Sequence, residues 1–181
     1  GKVDVLIQKG LESSYGLSLS TNGLNVDLSE CERHCVVFLD LIFNYIKDSC
    51  VVRFQGCGAI VVRNKSERVG FNPRTGDRHK VSSRRACSMI RTVRSSAKGI
   101  IQEKKITTQQ LRTDLGCAIG AKEAEVFVNV FLRVLQSIIS GREEKLVLPL
   151  LGTFQLRKKI SEPCLAFLPS KEIKEYLKSP Q

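Results

Sequence analysis

Closely spaced cysteine and histidine side chains are the first candidates for chemistry in this sequence. Cys31, His34 and Cys35 are one helical turn apart, a spacing that brings two or three zinc ligands to one face of a helix. No second pair of ligands follows at a comparable spacing, so we interpret these residues as core side chains and expect no metal site. The seven cysteines are an odd number spread over apolar segments, which favours buried free thiols in a reducing compartment over a disulfide framework.

Catalysis has little support in the remaining residue types. His34 and His79 are the two histidines of the chain. The chain offers no nucleophile with a paired base, and no glycine-rich loop that would cradle a phosphate is present. The sequence therefore does not predict an enzyme, and it predicts no cofactor.

A one-signed run of charge offers a different chemistry, which is binding to an anionic partner. Residues 63–98 contain eleven Lys and Arg residues against Glu67 and Asp77, a net charge of +9 in a chain whose total is +11. The segments 62–69 and 77–85 hold few apolar residues that a core could bury. We therefore predict a hairpin arm at about 63–85 that projects into solvent.

Turn chemistry marks the tip of this arm. In the segment 70–76, Pro73 fixes φ, Gly76 accepts a positive φ, and the Asn72 side chain can bond its own backbone. Phe71 and Pro73 add an apolar pair at a place where nothing in the same chain would bury it. Such a basic ribbon with an apolar wedge suits the minor groove of DNA, because the cations neutralise phosphates and the wedge unstacks a base step. An acidic protein partner is the alternative for the same charge.

The elements that must position the arm occur twice along the chain. Residues 28–65 align without a gap on residues 122–159, at a constant offset of 94. After Lys65 the offset becomes 78, so the second copy is shorter by 16 residues at the position of the arm. The sequence therefore predicts a tandem duplication in which the second copy has lost its arm.

Each copy is predicted to contain two helices, three strands and a short final helix. The first helix is expected at about 3–15, and Ser29 is the expected N-cap of the second. The second helix of each copy is apolar almost all round, so it must be buried on every face, which a unit of half the chain cannot achieve alone. We therefore predict an α+β fold in which both copies wrap into one intertwined intramolecular pseudo-dimer that is monomeric in solution.

These motifs resemble the bacterial HU and integration-host-factor family of DNA-bending proteins. The resemblance rests on the glycine turn at 56–58, the Asn-Pro-Arg-Thr-Gly tip of the arm, and, in the second copy, the segments 120–125, 151–154 and 166–171. It implies two HU-like repeats, at 1–98 with the arm and at 106–181 without one, joined by a linker at 99–105. It further implies an architectural protein that binds and bends double-stranded DNA with little sequence preference.

The resemblance also implies roles for individual residues. Pro73, beside Phe71, would be the intercalating wedge, with Asn72 and Arg74 as its neighbours in the groove. In place of the missing second arm, Arg157, Lys158 and Lys159 would hold phosphates near the body. The phosphate contacts of the arm and its base would be Arg63, Lys65, Arg68, Arg78, Lys80, Arg84 and Arg85.

A fused duplication is also similar to the tandem HU-like units of eukaryotic ciliary and centrosomal proteins. That likeness implies the alternative function, a protein-interaction or scaffold module of the cytoskeleton that does not bind DNA. No apolar run reaches the roughly 20 residues that span a bilayer, so we expect no membrane segment. A DNA-binding role would place the chain in a nucleus or a nucleoid-containing organelle, and the alternative would place it on the cytoskeleton.

Overall fold

Capping side chains fix where the long helices begin. In the computed structural model, which describes residues 4–92, 98–157 and 162–178, α2 (Leu28–Lys47) begins after Asp27. The Asp27 carboxylate accepts a 2.8 Å hydrogen bond from the Glu30 amide, so the predicted N-cap at Ser29 is wrong. Ser29 lies inside the first turn, because the extended backbone at Asp27 already places an acceptor there. Thr107 caps α3 (Thr108–Ile119) in the same way.

The remaining elements alternate helices with short strands. The second long helix, α4 (Ala121–Ile139), follows α3 after Gly120 alone. The other helices are α1 (Gln8–Thr21) and α5 (Lys171–Lys178). The strands are β1 (Asp4–Ile7), β2 (Val51–Phe54), β3 (Gly58–Lys65), β4 (Arg68–Phe71), β5 (Arg78–Val81), β6 (Arg84–Ile90), β7 (Lys105–Ile106), β8 (Glu143–Leu148), β9 (Gly152–Leu156) and β10 (Leu165–Pro169).

The strands form two four-stranded sheets and one isolated ribbon. One sheet has the order β1-β8-β9-β10, the other has the order β6-β3-β2-β7, and β4 pairs with β5 alone. The antiparallel part of each four-stranded sheet comes from one half of the chain. The α+β class predicted from the sequence is therefore confirmed.

The edge strands cross between the halves. β1, which precedes α1, runs parallel to β8 in the second half, and β7, which precedes α3, runs parallel to β2 in the first half. The predicted helix at 3–15 is thus wrong at both ends, because residues 4–7 pair as a strand and α1 continues to Thr21. Pairing with a strand more than 130 residues away is a tertiary interaction, which a local helical pattern does not report.

One hydrophobic core joins the halves. The rings of Phe38 and Phe131 lie 4.8 Å apart between α2 and α4, and Phe131 also contacts Phe54 at 5.4 Å and Phe154 at 5.7 Å. All four side chains are buried almost completely. The centre of the core is therefore formed by side chains from both halves of the chain.

Burial of the two long helices differs from the expectation. α4 buries nine residues, including Val126, Val130 and Val134. On α2, however, the Val36 side chain is 44% exposed, and Val37 and Leu41 are half-buried. The prediction that α2 is buried on every face is therefore wrong, since one of its faces has no layer packed over it in the part of the chain that the structure describes.

Two further expectations concern helices. Within the described ranges, no helix has the length and apolar character needed to cross a membrane. The short final helix predicted for the first copy falls mainly on residues 93–97, which lie outside the described residues. In the second half the corresponding helix is α5, which buries Ile173 and Leu177.

Candidate nucleic-acid interface

The predicted arm contains the isolated ribbon of β4 and β5. In its register Arg68 faces Val81 and Phe71 faces Arg78. Every residue from Asn64 to Lys80 is exposed except Gly70, which is half-buried. At the base of the arm, the pairing of β3 with β6 extends outward from the body as far as Lys65 and Arg84. The low apolar content of this segment leaves it nothing to bury, so it extends into solvent.

The tip of the arm is held by its own hydrogen bonds. The Asn72 side-chain oxygen accepts a 2.9 Å bond from the Arg74 amide, and the Asn72 carbonyl accepts a 2.8 Å bond from the Gly76 amide. Gly76 has a φ of +73°, as its place in the turn predicts. Pro73 lies at the apex and is exposed, and the neighbouring Phe71 side chain is 62% exposed. A rigid turn therefore presents apolar atoms to solvent.

Gly70 and His79 face each other across the ribbon. They are register partners, and the imidazole of His79 covers the α-carbon of Gly70 so closely that an added Cβ would lie 2.5 Å from Nε2. His79 lies within the segment that the sequence predicts as the arm. The structure shows that its ring packs on the ribbon, which keeps the arm thin at this point.

Cations line the length of the arm. The Lys80 ammonium lies 2.9 Å from the Glu67 carboxylate, in an exposed pair that solvent and salt weaken. Arg63 and Arg84 are half-buried at the base, where Arg63 Nε has no hydrogen-bond partner among the described residues. The cations with exposed side chains are Lys65, Arg68, Arg74, Arg78 and Lys80.

Two arginines of the predicted interface are directed toward the body. Arg85 donates from Nη1 to the Lys47 carbonyl at 3.1 Å and to the Ser49 hydroxyl at 2.8 Å. Arg157 donates to the Met89 carbonyl. Both guanidinium groups thus already have protein partners. Lys158 and Lys159 lie outside the described residues.

A cleft at the base of the arm adds cations that sequence reasoning missed. It encloses about 890 Å³ between β6, β10 and α5. Arg68 and Arg84 line it from the arm, and Lys174 and Lys178 line it from α5. The spacing of four residues puts both lysines on one helical face, but only the tertiary structure shows that this face meets the arm.

The cysteine and histidine cluster lies in the core, away from the arm. Cys31, Cys35 and His34 are almost fully buried on α2, and the Tyr15 hydroxyl lies 2.6 Å from His34 Nδ1. Burial raises the pKa of the Cys35 thiol to about 12. Throughout 4–92, 98–157 and 162–178, no three His, Cys, Asp or Glu side chains are grouped as a metal ion requires.

One of the seven free thiols is not buried. Cys117 on α3 is exposed, so its assignment to the core was wrong. Leu111, Leu115 and Ile119 form a buried stripe of period four on this helix, and Cys117 lies off that stripe.

The described residues form an α+β protein with an exposed cationic ribbon, and two comparisons show which known proteins part of the chain is similar to. The model of the family described as bacterial DNA-binding protein matches residues 19–90, which include α2, β2, β3, the arm and β6. Among curated proteins, the integration host factor subunit alpha of Bdellovibrio bacteriovorus is 43% identical over 51 residues, which are 26% of this chain. The match spans 46% of that relative, about half of its length. Residues 19–90, less than half of the chain, are therefore similar to this family of bacterial DNA-binding proteins.

Proposed function

We propose that this chain is an architectural protein that binds and bends double-stranded DNA through its one arm. The observation that carries the proposal is an exposed arm with five exposed cations and an apolar tip. An arm this thin fits a groove, and its cations then face the phosphates on both sides. Sequence preference is expected to be weak, because phosphate contacts carry no base information.

Pro73 is the wedge in this mechanism. Its ring is rigid and lacks a backbone N–H, so it can enter a base step without leaving a donor unpaired. The Asn72 turn holds it at the apex, and Phe71 adds apolar surface beside it. Inserted between two base pairs, such a wedge kinks the duplex toward the major groove. Asn72 and Arg74 then lie along the floor and walls of the groove.

The phosphate contacts divide between the arm and the body. Lys65, Arg68, Arg78 and Lys80 hold phosphates along the ribbon, and Arg63 and Arg84 do so at its base. Lys174 and Lys178 extend this surface across the cleft to α5, which supports a path for the duplex over the body. On the side of the second repeat, Lys158 and Lys159 are the proposed contacts, because the Arg157 guanidinium is directed toward the body.

The two halves act as one intramolecular pseudo-dimer of HU-like repeats. The crosswise pairing of β1 with β8 and of β7 with β2 supports this arrangement, and so does the shared aromatic core. With the second repeat covalently supplied, no second chain is needed to complete the body. Since one repeat has lost its arm, the protein makes one kink where a two-armed protein makes two.

The cellular setting follows from the same features. All seven cysteines are free, and this supports a reducing compartment. DNA binding would place the protein with the chromosome or nucleoid.

The experiment that tests the proposal is a fluorescence-anisotropy titration of a short duplex at several salt concentrations. If five arm cations each neutralise one phosphate, log K against log[salt] should slope at about −4.5, so that affinity falls about 500-fold between 50 and 200 mM salt. A flat salt response, or no binding at low salt, would refute the proposal and favour a protein partner.

A further inference from the structure

The base of the arm is held from two sides at one pair of residues. Asn64 on β3 and Arg85 on β6 are register partners, one pair inside the last paired residues, Lys65 and Arg84. Beyond that pair the ladder is interrupted until β4 and β5 begin. We name the pair Asn64 and Arg85 the arm root, because there the arm is still fixed to the body.

The connection between the halves holds the outer side of the root. Beyond the N-terminal end of β2, residues 99–101 run along β3 in its place: the Asn64 amide donates to the Gly99 carbonyl and the Ile101 amide donates to the Val62 carbonyl, both at 2.9 Å. Ile100 forms a bridge with Arg63 between them. Gly99 approaches so closely that an added Cβ would lie 2.9 Å from the Asn64 carbonyl oxygen.

The C-terminal end of α2 holds the other strand of the root. The Arg85 guanidinium donates to the Lys47 carbonyl and to the Ser49 hydroxyl, just past the last turn of the helix. It also lies over the Tyr176 ring of α5, with its carbon 5.8 Å from the ring centroid. The planar guanidinium is thus held between two helices, so β6 is anchored independently of β3.

We propose that Gly99 and Arg85 are positioning residues that fix the direction in which the arm leaves the body. This inference rests on the proposed function, in which one duplex contacts both the arm and the body. The direction of the arm then determines how strongly that duplex must bend. In a protein with two arms, the two contacts together can define the path of the DNA. With a single arm, the path of the DNA depends on the angle between that arm and the body. The backbone hydrogen bonds of residues 99–101 and the side-chain hydrogen bonds of Arg85 resist rotation of the arm at its root.

The direct test measures the arm without DNA. Spin labels on the exposed native Cys117 and on a cysteine introduced at the exposed position Val69 report the distance between body and arm by pulsed electron resonance. The substitution Gly99→Ala forces the connection away from Asn64, so the distance distribution should become at least about twice as wide. The matched control is Gly141→Ala. Gly141 has nearly the same φ, +80° against +78°, but its added Cβ meets nothing within 4 Å, so the distribution should stay as narrow as in the unsubstituted protein.

A second pair of variants tests the other side of the root. Arg85→Met removes the bonds to Lys47 and Ser49 and should broaden the distribution. Arg84→Met removes the neighbouring cation and leaves those bonds, so it should weaken DNA binding without broadening. If the distance distribution is unchanged in both Gly99→Ala and Arg85→Met, the inference is wrong. If one of these variants fails to fold, a broader distribution in the other still supports the inference.

The DNA readout separates this inference from the proposed function. For Gly99→Ala, the affinity for a short duplex should stay within about threefold, whereas the bend measured by fluorescence transfer should become smaller and more widely distributed. A bend equal to that of the unsubstituted protein, with a broadened arm distribution, would contradict the positioning role. If the unsubstituted protein bound no DNA at low salt, the proposed function would fail, and the distance measurement would still decide whether the root is clamped.

Discussion

The hydroxyl of Tyr15 lies 2.6 Å from Nδ1 of His34, in a buried contact between α1 and α2. His34 Nε2 faces the Glu30 carboxylate at 3.4 Å. Burial lowers the pKa of His34, and Arg33 lowers it further, while Glu30 and, more weakly, Glu123 on α4 oppose the shift. Tyr15 also packs edge-on against Phe127, so the contact joins α1 and α2 to the second half.

Stability should therefore fall in mild acid. Since the folded state binds a proton at His34 less readily than the unfolded chain does, the free energy of unfolding should decrease as pH drops below about 6.5 and should not change through this group above that pH. Urea unfolding at pH 7.5 and at pH 5 measures the difference. In the variant His34→Gln, the difference in the free energy of unfolding between the two pH values should be smaller. A difference equal to that of the unsubstituted protein would rule out His34 as the cause.

A second hydrogen bond joins α2 to α3. The Tyr45 hydroxyl donates to the Asp114 carboxylate, and Gln110 donates to the other carboxylate oxygen at 2.7 Å. Burial and this bond both raise the pKa of Tyr45, so it remains a donor at neutral pH. Tyr45→Phe should lower the free energy of unfolding by about 1–2 kcal/mol, without changing DNA affinity.

The control for that variant is Tyr176→Phe, because the Tyr176 side chain is more than one-third exposed. It should change stability by less than about 0.5 kcal/mol. Equal effects of the two substitutions, measured in the same urea titration, would contradict a stabilising role of the bond between Tyr45 and Asp114.

The wedge should affect bending more than binding. Replacing Pro73 by Ala removes the rigid apex but leaves the arm cations in place, so affinity should stay within about threefold while the bend falls by more than about 20°. Fluorescence transfer between the ends of a short duplex measures the bend. Pro163→Ala, at an exposed proline outside the arm, should leave it unchanged. A Pro73→Ala complex with the full bend would remove the intercalating role.

The proposed intramolecular pseudo-dimer should be monomeric in solution. Both parallel edge pairings and the aromatic core are completed within one chain, so no chain needs a partner to bury its core. Sedimentation at micromolar concentration should give a mass near 20.2 kDa. A stable species of twice that mass would contradict the prediction.

Local signals were sufficient for the elements that pair with their chain neighbours. The turn at Asn72 and Gly76 has the predicted bonds and φ, because both depend on residues a few positions apart. β1 and β7 were missed, since each exists through a parallel partner in the other half. A sequence pattern does not report such pairings.

The direction of individual side chains was the other feature that the sequence could not predict. Arg85 belongs to a run of cations, so the sequence grouped it with Arg84 as a phosphate contact. In the structure, its guanidinium instead donates a hydrogen bond to the Lys47 carbonyl at the end of α2. Lys174 and Lys178 were not among the predicted contacts, and the cleft between α5 and the arm places them near Arg68 and Arg84. In each case the fold of distant segments decides which way a cation points.

Charge reversal on the arm tests the central claim most directly. The pair Arg74→Glu and Arg78→Glu changes the charge by −4 at the tip, and the pair Lys9→Glu and Lys122→Glu makes the same change at exposed positions of α1 and α4. In anisotropy titrations at 100 mM salt, we predict that the arm pair weakens duplex binding by about 100-fold or more and the helix pair by less than about fivefold. Equal losses in the two variants would contradict binding through the arm.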